Sequence, residues 1–160
     1  MGSGRLMGFI DNVCPSANEM PPQQTRKGDI LQCDANGPAC VFIYKTLSEP
    51  HVGELSYFKV YSGTVKAGMD LVNETTGSVE KIHQLFVVEG NKRQSVSELV
   101  AGDIGATLKL KNTHVNNTLH EKGRNTELLP IVFPTANLIV SVESMQKGEE
   151  EKLSLALHQL

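Results

Sequence analysis

Lysine, arginine and tyrosine at strand-like spacing are the residues of this chain best suited to chemistry, and that chemistry is contact with phosphate. Lys59, Tyr61, Lys66 and Lys81 could share one face of a barrel, and Asn91-Lys92-Arg93 sets two positive charges at a polar loop tip. Charges so placed position nucleic-acid backbones, although a solvated surface lysine is the commoner use of the residue. Between them, Ser62-Gly63 makes a tight turn where backbone could approach a ligand closely.

Other chemistries lack their residues. A phosphate loop needs G-x-x-x-x-G-K-[ST]; Gly63-Thr-Val-Lys-Ala-Gly68 has the glycine spacing but continues Met69-Asp70 and lies between strands. Zinc needs clustered ligands, whereas Cys14, Cys33 and Cys40 form no Cys-x-x-Cys pair and the five histidines have no recognised spacing. No nucleophile elbow G-x-S-x-G occurs. No catalytic residue and no metal ligand is therefore expected.

Composition sets the frame for these residues. The 160 residues are 39% hydrophobic and 21% charged, a globular balance for one ordinary domain or a small domain with pieces of its neighbours. There is no tryptophan and aromatics are 5%, so the core is expected to be aliphatic. No apolar run reaches the ~20 residues of a membrane span, and the first eight residues lack a signal peptide's apolar stretch. An odd number of unevenly spaced cysteines is no disulfide framework. The expectation is a soluble, cytoplasmic protein. The net charge of −3 is uneven: residues 41–124 carry ten basic and nine acidic side chains, and the acidity lies in the flanks. Binding of nucleic acid then needs a local basic face rather than a basic surface overall.

The elements that must position the lysines are mostly strands. Residues 39–45 form a continuous β-prone run, as for a strand buried on both faces. Residues 53–61 form a second, with a bulge expected at Tyr57-Phe58. Short strands follow at 64–65 and 69–73, a long one at 78–89, an alternating one at 103–111, and shorter ones at 118–119 and 131–133. Ser95-x-x-Glu98 reads as the capping box of one helical turn, closed by Gly102. Such a series indicates an all-β barrel or sandwich. Around it, residues 5–13 read as a short helix, 14–38 as a Pro- and Gly-rich linker or exposed excursion, 137–143 as a strand and 148–160 as a helix. Both ends carry apolar surface that they cannot bury alone, which predicts a piece of a larger protein.

At Lys59-Val-Tyr-Ser-Gly-Thr-Val65, Gly90-Asn-Lys-Arg93 and Ala101-Gly-Asp-Ile-Gly-Ala106 the chain resembles bacterial elongation factor G, in the family's order and over nearly its whole length. The resemblance implies the end of a GTPase domain and a linker at 1–37. It implies domain II, a closed antiparallel β-barrel, at 38–133, and the first strand and helix of a ferredoxin-like third domain at 134–160. It also implies a non-catalytic role in protein synthesis. The partners would be small-subunit ribosomal RNA and the GTPase domain of the same parent, with no DNA and no membrane. GTP and magnesium would belong to the parent, and no cofactor to this stretch. Lys59, Tyr61, Ser62, Gly63, Lys66, Lys92 and Arg93 become the candidates for RNA or interdomain contact. Two departures stand out. Val88-Glu89-Gly90 replaces the family's Met-His-Ala, and Val115-Asn-Asn-Thr-Leu119 replaces Thr-Gly-Asp-Thr-Leu, where asparagine can take the left-handed conformation of the lost glycine. They suggest a paralogue, acting in translocation, recycling or ribosome protection. A stand-alone β-barrel binding module, and a small hydrolase pairing Asp103 or a histidine with Ser or Cys, are the readings from other classes.

Overall fold

The computed structural model describes residues 2–49, 53–146 and 148–158. A helix α1 (Ser3–Val13) leads into a two-strand hairpin, β1 (Gln23–Gln24) and β2 (Ile30–Leu31). The main body follows as β3 (Cys40–Glu49), β4 (Gly53–Ser62), β5 (Thr64–Lys66), β6 (Asp70–Asn73), β7 (Val79–Lys81), β8 (Leu85–Glu89), β9 (Lys92–Val96), β10 (Glu98–Val100), β11 (Ile104–Leu108) and β12 (Thr118–His120). Helix α2 (Glu150–His158) comes last. Among the described residues no helix is long and apolar enough to cross a membrane.

The fold is mainly β. Eight strands pair in the order β7-β6-β12-β3-β4-β11-β8-β9, all antiparallel, and β5 pairs separately with β10. The outermost strands of the eight, β7 and β9, are not paired with each other, so the expected closed barrel is not seen as a continuous ladder. The expected long strand at 78–89 is two strands, β7 and β8; Ile82 still donates its N–H to the Met69 carbonyl, one step further along the β6–β7 register, before the chain passes to β8. Both ladders nevertheless share one aliphatic core. Ile43, Val60, Leu71, Ile82, Leu85 and Leu119 pack with Val65 of β5 and Leu99 of β10.

Alternation along β4 sends Phe58 and Val60 inward, and Tyr57, Lys59 and Tyr61 outward. In β3, Cys40 to Ile43 are all buried, as the unbroken apolar run requires. Val41 and Ile43 face the main core. Cys40 and Phe42 pack with Leu128 in a second cluster that Leu31, Tyr44 and Tyr61 complete.

The cover of that second cluster comes from the stretch read as linker. Its hairpin is fastened by backbone pairing of Thr25 with Leu128, by Arg26 N–H to the Glu127 carbonyl (2.7 Å), and by an Arg26–Glu127 ion pair (2.8 Å). Lys27 reaches Glu74 at 3.5 Å, and the other Glu74 oxygen meets Nε2 of buried His120 at 2.9 Å. The Nδ1 of His120 lies 2.9 Å from the Glu121 carbonyl, and the Asp103 carboxylate accepts the Val100 N–H. These two members of the hydrolase constellation are thus engaged in holding turns.

Three local expectations give way to tertiary context. Ser95 and Glu98 lie in β9 and β10 rather than on a helical turn, because Lys92–Val96 finds a partner in β8 and Leu99 a place in the core beside Val65. Residues 131–133 and 137–143 form no strand; a strand needs a partner, and among the described residues none pairs with them. The helices appear at 3–13 and 150–158, with their apolar sides uncovered: Leu6, Met7, Phe9, Ile10 and Val13 of α1 are exposed. Val132, Phe133, Leu138, Ile139 and Val142 are exposed as well.

Candidate nucleic-acid interface

Two irregularities in the β3–β4 pairing build the site. Cys40 pairs with Ser62 but Val41 pairs with Val60, so Tyr61 is an extra residue on β4. Ile43 pairs with Phe58 and Lys45 with Tyr57, so Tyr44 is an extra residue on β3. Such bulges re-aim the side chain that has no opposite number. The expected bulge at Tyr57-Phe58 thus falls on the opposite strand, at Tyr44, and a second one carries Tyr61.

Between the bulges the register sets Phe42, Lys59 and Ile104 in one row across β3, β4 and β11. Tyr61 meets Phe42 edge to face, centroids 6.4 Å apart and planes at 88°. The Lys59 Nζ sits 5.2 Å from the centroid of the Tyr61 ring. These residues floor a cavity of about 380 Å³. Gln23 and Gln24 of β1 line it together with Leu128, Leu129, Pro130 and Ile131, the stretch beside which β1 is held by the Thr25–Leu128 pairing. Among the described residues, Lys59 is the only charged side chain in the lining.

The 128–131 lining is held by Asn116. Its backbone is left-handed (φ 73°), as its place in the Val115–Leu119 turn requires. Its side chain then does what a glycine could not: Oδ1 accepts the Ile131 N–H at 2.8 Å and Nδ2 donates to the Ile131 carbonyl at 3.1 Å. Thr118 Oγ1 accepts the Leu128 N–H at 3.0 Å.

Burial raises the pKa of Tyr61, with a smaller push from Cys40; burial and then Tyr57 do the same for Tyr44. Both phenols keep their protons near neutrality and can donate a hydrogen bond. The Cys40 thiol, buried beneath them, is pushed up to about 12 by desolvation. At pH 8 only about one part in ten thousand is then thiolate, the reactive form. An aromatic disulfide reagent is therefore expected to label exposed Cys14 quickly and Cys40 only after denaturant is added. Rapid labelling of Cys40 in the folded chain would show that the hairpin does not cover it.

The remaining candidates are dispersed. Ser62 is 3% exposed, and Gly63, at φ 73°, has both backbone groups engaged: its N–H goes to the Asp34 carbonyl (2.8 Å) and its carbonyl accepts from Ala101 (2.9 Å). This turn packs against the 34–39 loop rather than offering an amide outward. Lys66 stands on β5 opposite Glu98, 3.7 Å away. Lys92 and Arg93 start β9, opposite Glu89 and Val88. The register Ala106–Phe86 between β11 and β8 points that hairpin tip toward the Ile104 end of β11, the end where Lys59 lies. Lys81 is on β7, at the far edge of the sheet from β9. Gln23, Gln24 and the 128–131 stretch escape sequence reading, because a hundred residues separate these paired segments and only folding brings them together.

The family model for domain 2 of elongation factor G matches residues 38–122. A crystal structure from Thermus thermophilus superposes with a TM-score of 0.75 at 26% identity, over 99% of this chain. The chain spans 22% of the length of that protein. The matched stretch runs from the loop before β3 to just past β12, more than half of the sequence and nearly all of the sheet, and by it the chain belongs to the elongation factor G domain 2 family.

Proposed function

We propose that this chain is the non-catalytic domain II region of an elongation factor G-like translational GTPase. In this reading the Lys59–Tyr61 face contacts small-subunit ribosomal RNA during protein synthesis. The family match over residues 38–122 carries the proposal. The chemistry of the site supports it. One ammonium with no acid among its pocket neighbours, set beside aromatic rings, suits a phosphate backbone with accessible bases. Lys92 and Arg93, at a tip directed to the same end of the sheet, extend the positive surface. The exposed apolar sides of α1 and of residues 132–142 pack against the parent's GTPase domain and third domain. In this reading the two ladders around their shared core correspond to the barrel of the family. GTP and magnesium belong to the GTPase domain, since this chain has no phosphate loop of its own.

The test is co-sedimentation with isolated small ribosomal subunits. Lys59→Ala is expected to weaken binding about tenfold, the low end for one hydrogen bond between charged groups. Lys81→Ala, at the distant sheet edge, is expected to leave it unchanged. Equal affinities for the wild-type chain and Lys59→Ala would remove this face from the interface.

A further inference from the structure

We propose that the cavity over β3 and β4 receives one unstacked nucleotide of single-stranded RNA, its base held among Phe42, Tyr44 and Tyr61 and its phosphate at Lys59. The inference deepens the RNA-contact reading and rests on it. A surface that only followed a duplex backbone would need charge and no cavity, because duplex bases are stacked away from the protein. Here the sheet departs from regular pairing twice within a few residues, and each time the extra residue is a tyrosine that lines the cavity. The floor is aromatic and aliphatic, which suits the face of a base. The two lining glutamines carry amide donors and acceptors, as a base edge requires, one Gln23 N–H going to the Pro21 carbonyl. Among the described residues the lining charge is positive and no acid joins it, so an anionic group is accepted and a cationic one is not. At about 380 Å³ the space suits a small ligand and is far too small for a helix of either kind.

The wall is built to persist. Asn116 grips both backbone groups of Ile131, so the Leu128–Ile131 side does not depend on contacts outside the chain to keep its place. That grip comes from an asparagine at the left-handed turn position.

Fluorescence anisotropy on the 160-residue chain decides the matter, with labelled octameric A8 and U8 RNA and a 12-base-pair RNA duplex as probes at one salt concentration. Single strands are expected to bind at least about tenfold more tightly than the duplex. Tyr61→Ala is expected to remove that preference, while Lys59→Met weakens single strand and duplex alike. Ile104→Gln, a neutral change, repeats the loss from a half-exposed floor position, so the result does not hang on the folding of the Tyr61 variant. Asn116→Gly, which frees the wall, is expected to lower the preference about threefold while Lys59-dependent duplex binding persists. Equal binding of single strand and duplex, dependent on Lys59 but not on Tyr61 or Ile104, overturns the nucleotide receptor and leaves the RNA contact standing. Binding of neither RNA overturns both.

Discussion

Replacing Gly63 by alanine is expected to lower the stability of this chain by about 4 kcal/mol, the sum of two separate costs. The residue sits at φ 73°, where a side chain is strained by about 1–2 kcal/mol. A Cβ there would also run into the backbone of Pro38 and Ala39, which has no flexible end to yield, and forced overpacking costs about 1–3 kcal/mol more. Gly68 provides the control. It has the same handedness, φ 87°, but open space where its Cβ would stand. Gly68→Ala is therefore expected to cost only about 1–2 kcal/mol. Urea titrations of the two variants separate the terms, and equal midpoints would mean that the 34–39 loop does not pack on the Ser62-Gly63 turn. The consequence reaches the site, because Ser62 pairs with Cys40 at the bulge that carries Tyr61.

The second large effect is expected at Glu80. Its buried carboxylate accepts from the Asn112 N–H (2.6 Å), the Lys111 N–H (3.0 Å) and the Thr113 hydroxyl (3.1 Å). Asn73 completes the network: the two N–H groups of its Nδ2 are shared among Asn117 Oδ1 (2.9 Å), the Asn112 carbonyl (3.1 Å) and Thr113 Oγ1 (3.1 Å). Glu80→Ala takes the acceptor from three donors, one of them on buried Thr113 and two part-buried, which costs about 3 kcal/mol. Glu80→Gln keeps one acceptor oxygen and is expected to lose about half as much. Amide exchange at Lys111 and Asn112 should quicken in both variants, and unchanged exchange there would show that the carboxylate does not hold the loop. The loop it holds, 111–117, ends at the turn from which Asn116 grips Ile131, so a polar cluster away from the cavity steadies one of its walls.

Much of this arrangement is legible in the residues themselves. The apolar run from Ala39 demands burial on both faces, and the chain has it as far as Ile43, beyond which Tyr44 is half-buried and Lys45 exposed. The polar interleaving of β4 puts Lys59 and Tyr61 outward, and asparagine in the Val115–Leu119 turn takes the left-handed backbone. What is illegible depends on partners distant in sequence. The hairpin at 23–31 looks like linker because it is short and polar, and its packing on Leu128 is settled a hundred residues later. Which strand bulges depends on the register of two strands together, so the irregularity at Tyr57-Phe58 is relieved across the ladder at Tyr44. Ser95-x-x-Glu98 has the local chemistry of a helix start, yet pairing with β8 and β5 outweighs a single capping box. The Asn137–Glu143 stretch has the residues of a strand and, among the described residues, no edge to join.

Contact between Lys59 and a phosphate is the central feature of the proposed interface. The titration with small ribosomal subunits, repeated over a range of potassium chloride, measures that directly, since each neutralised phosphate contributes about 0.7–0.9 to the slope of log affinity against log salt. The predicted result is a slope shallower by about one in Lys59→Ala than in the wild-type chain, with no change in Lys81→Ala. Identical slopes for the wild-type chain and Lys59→Ala would contradict it.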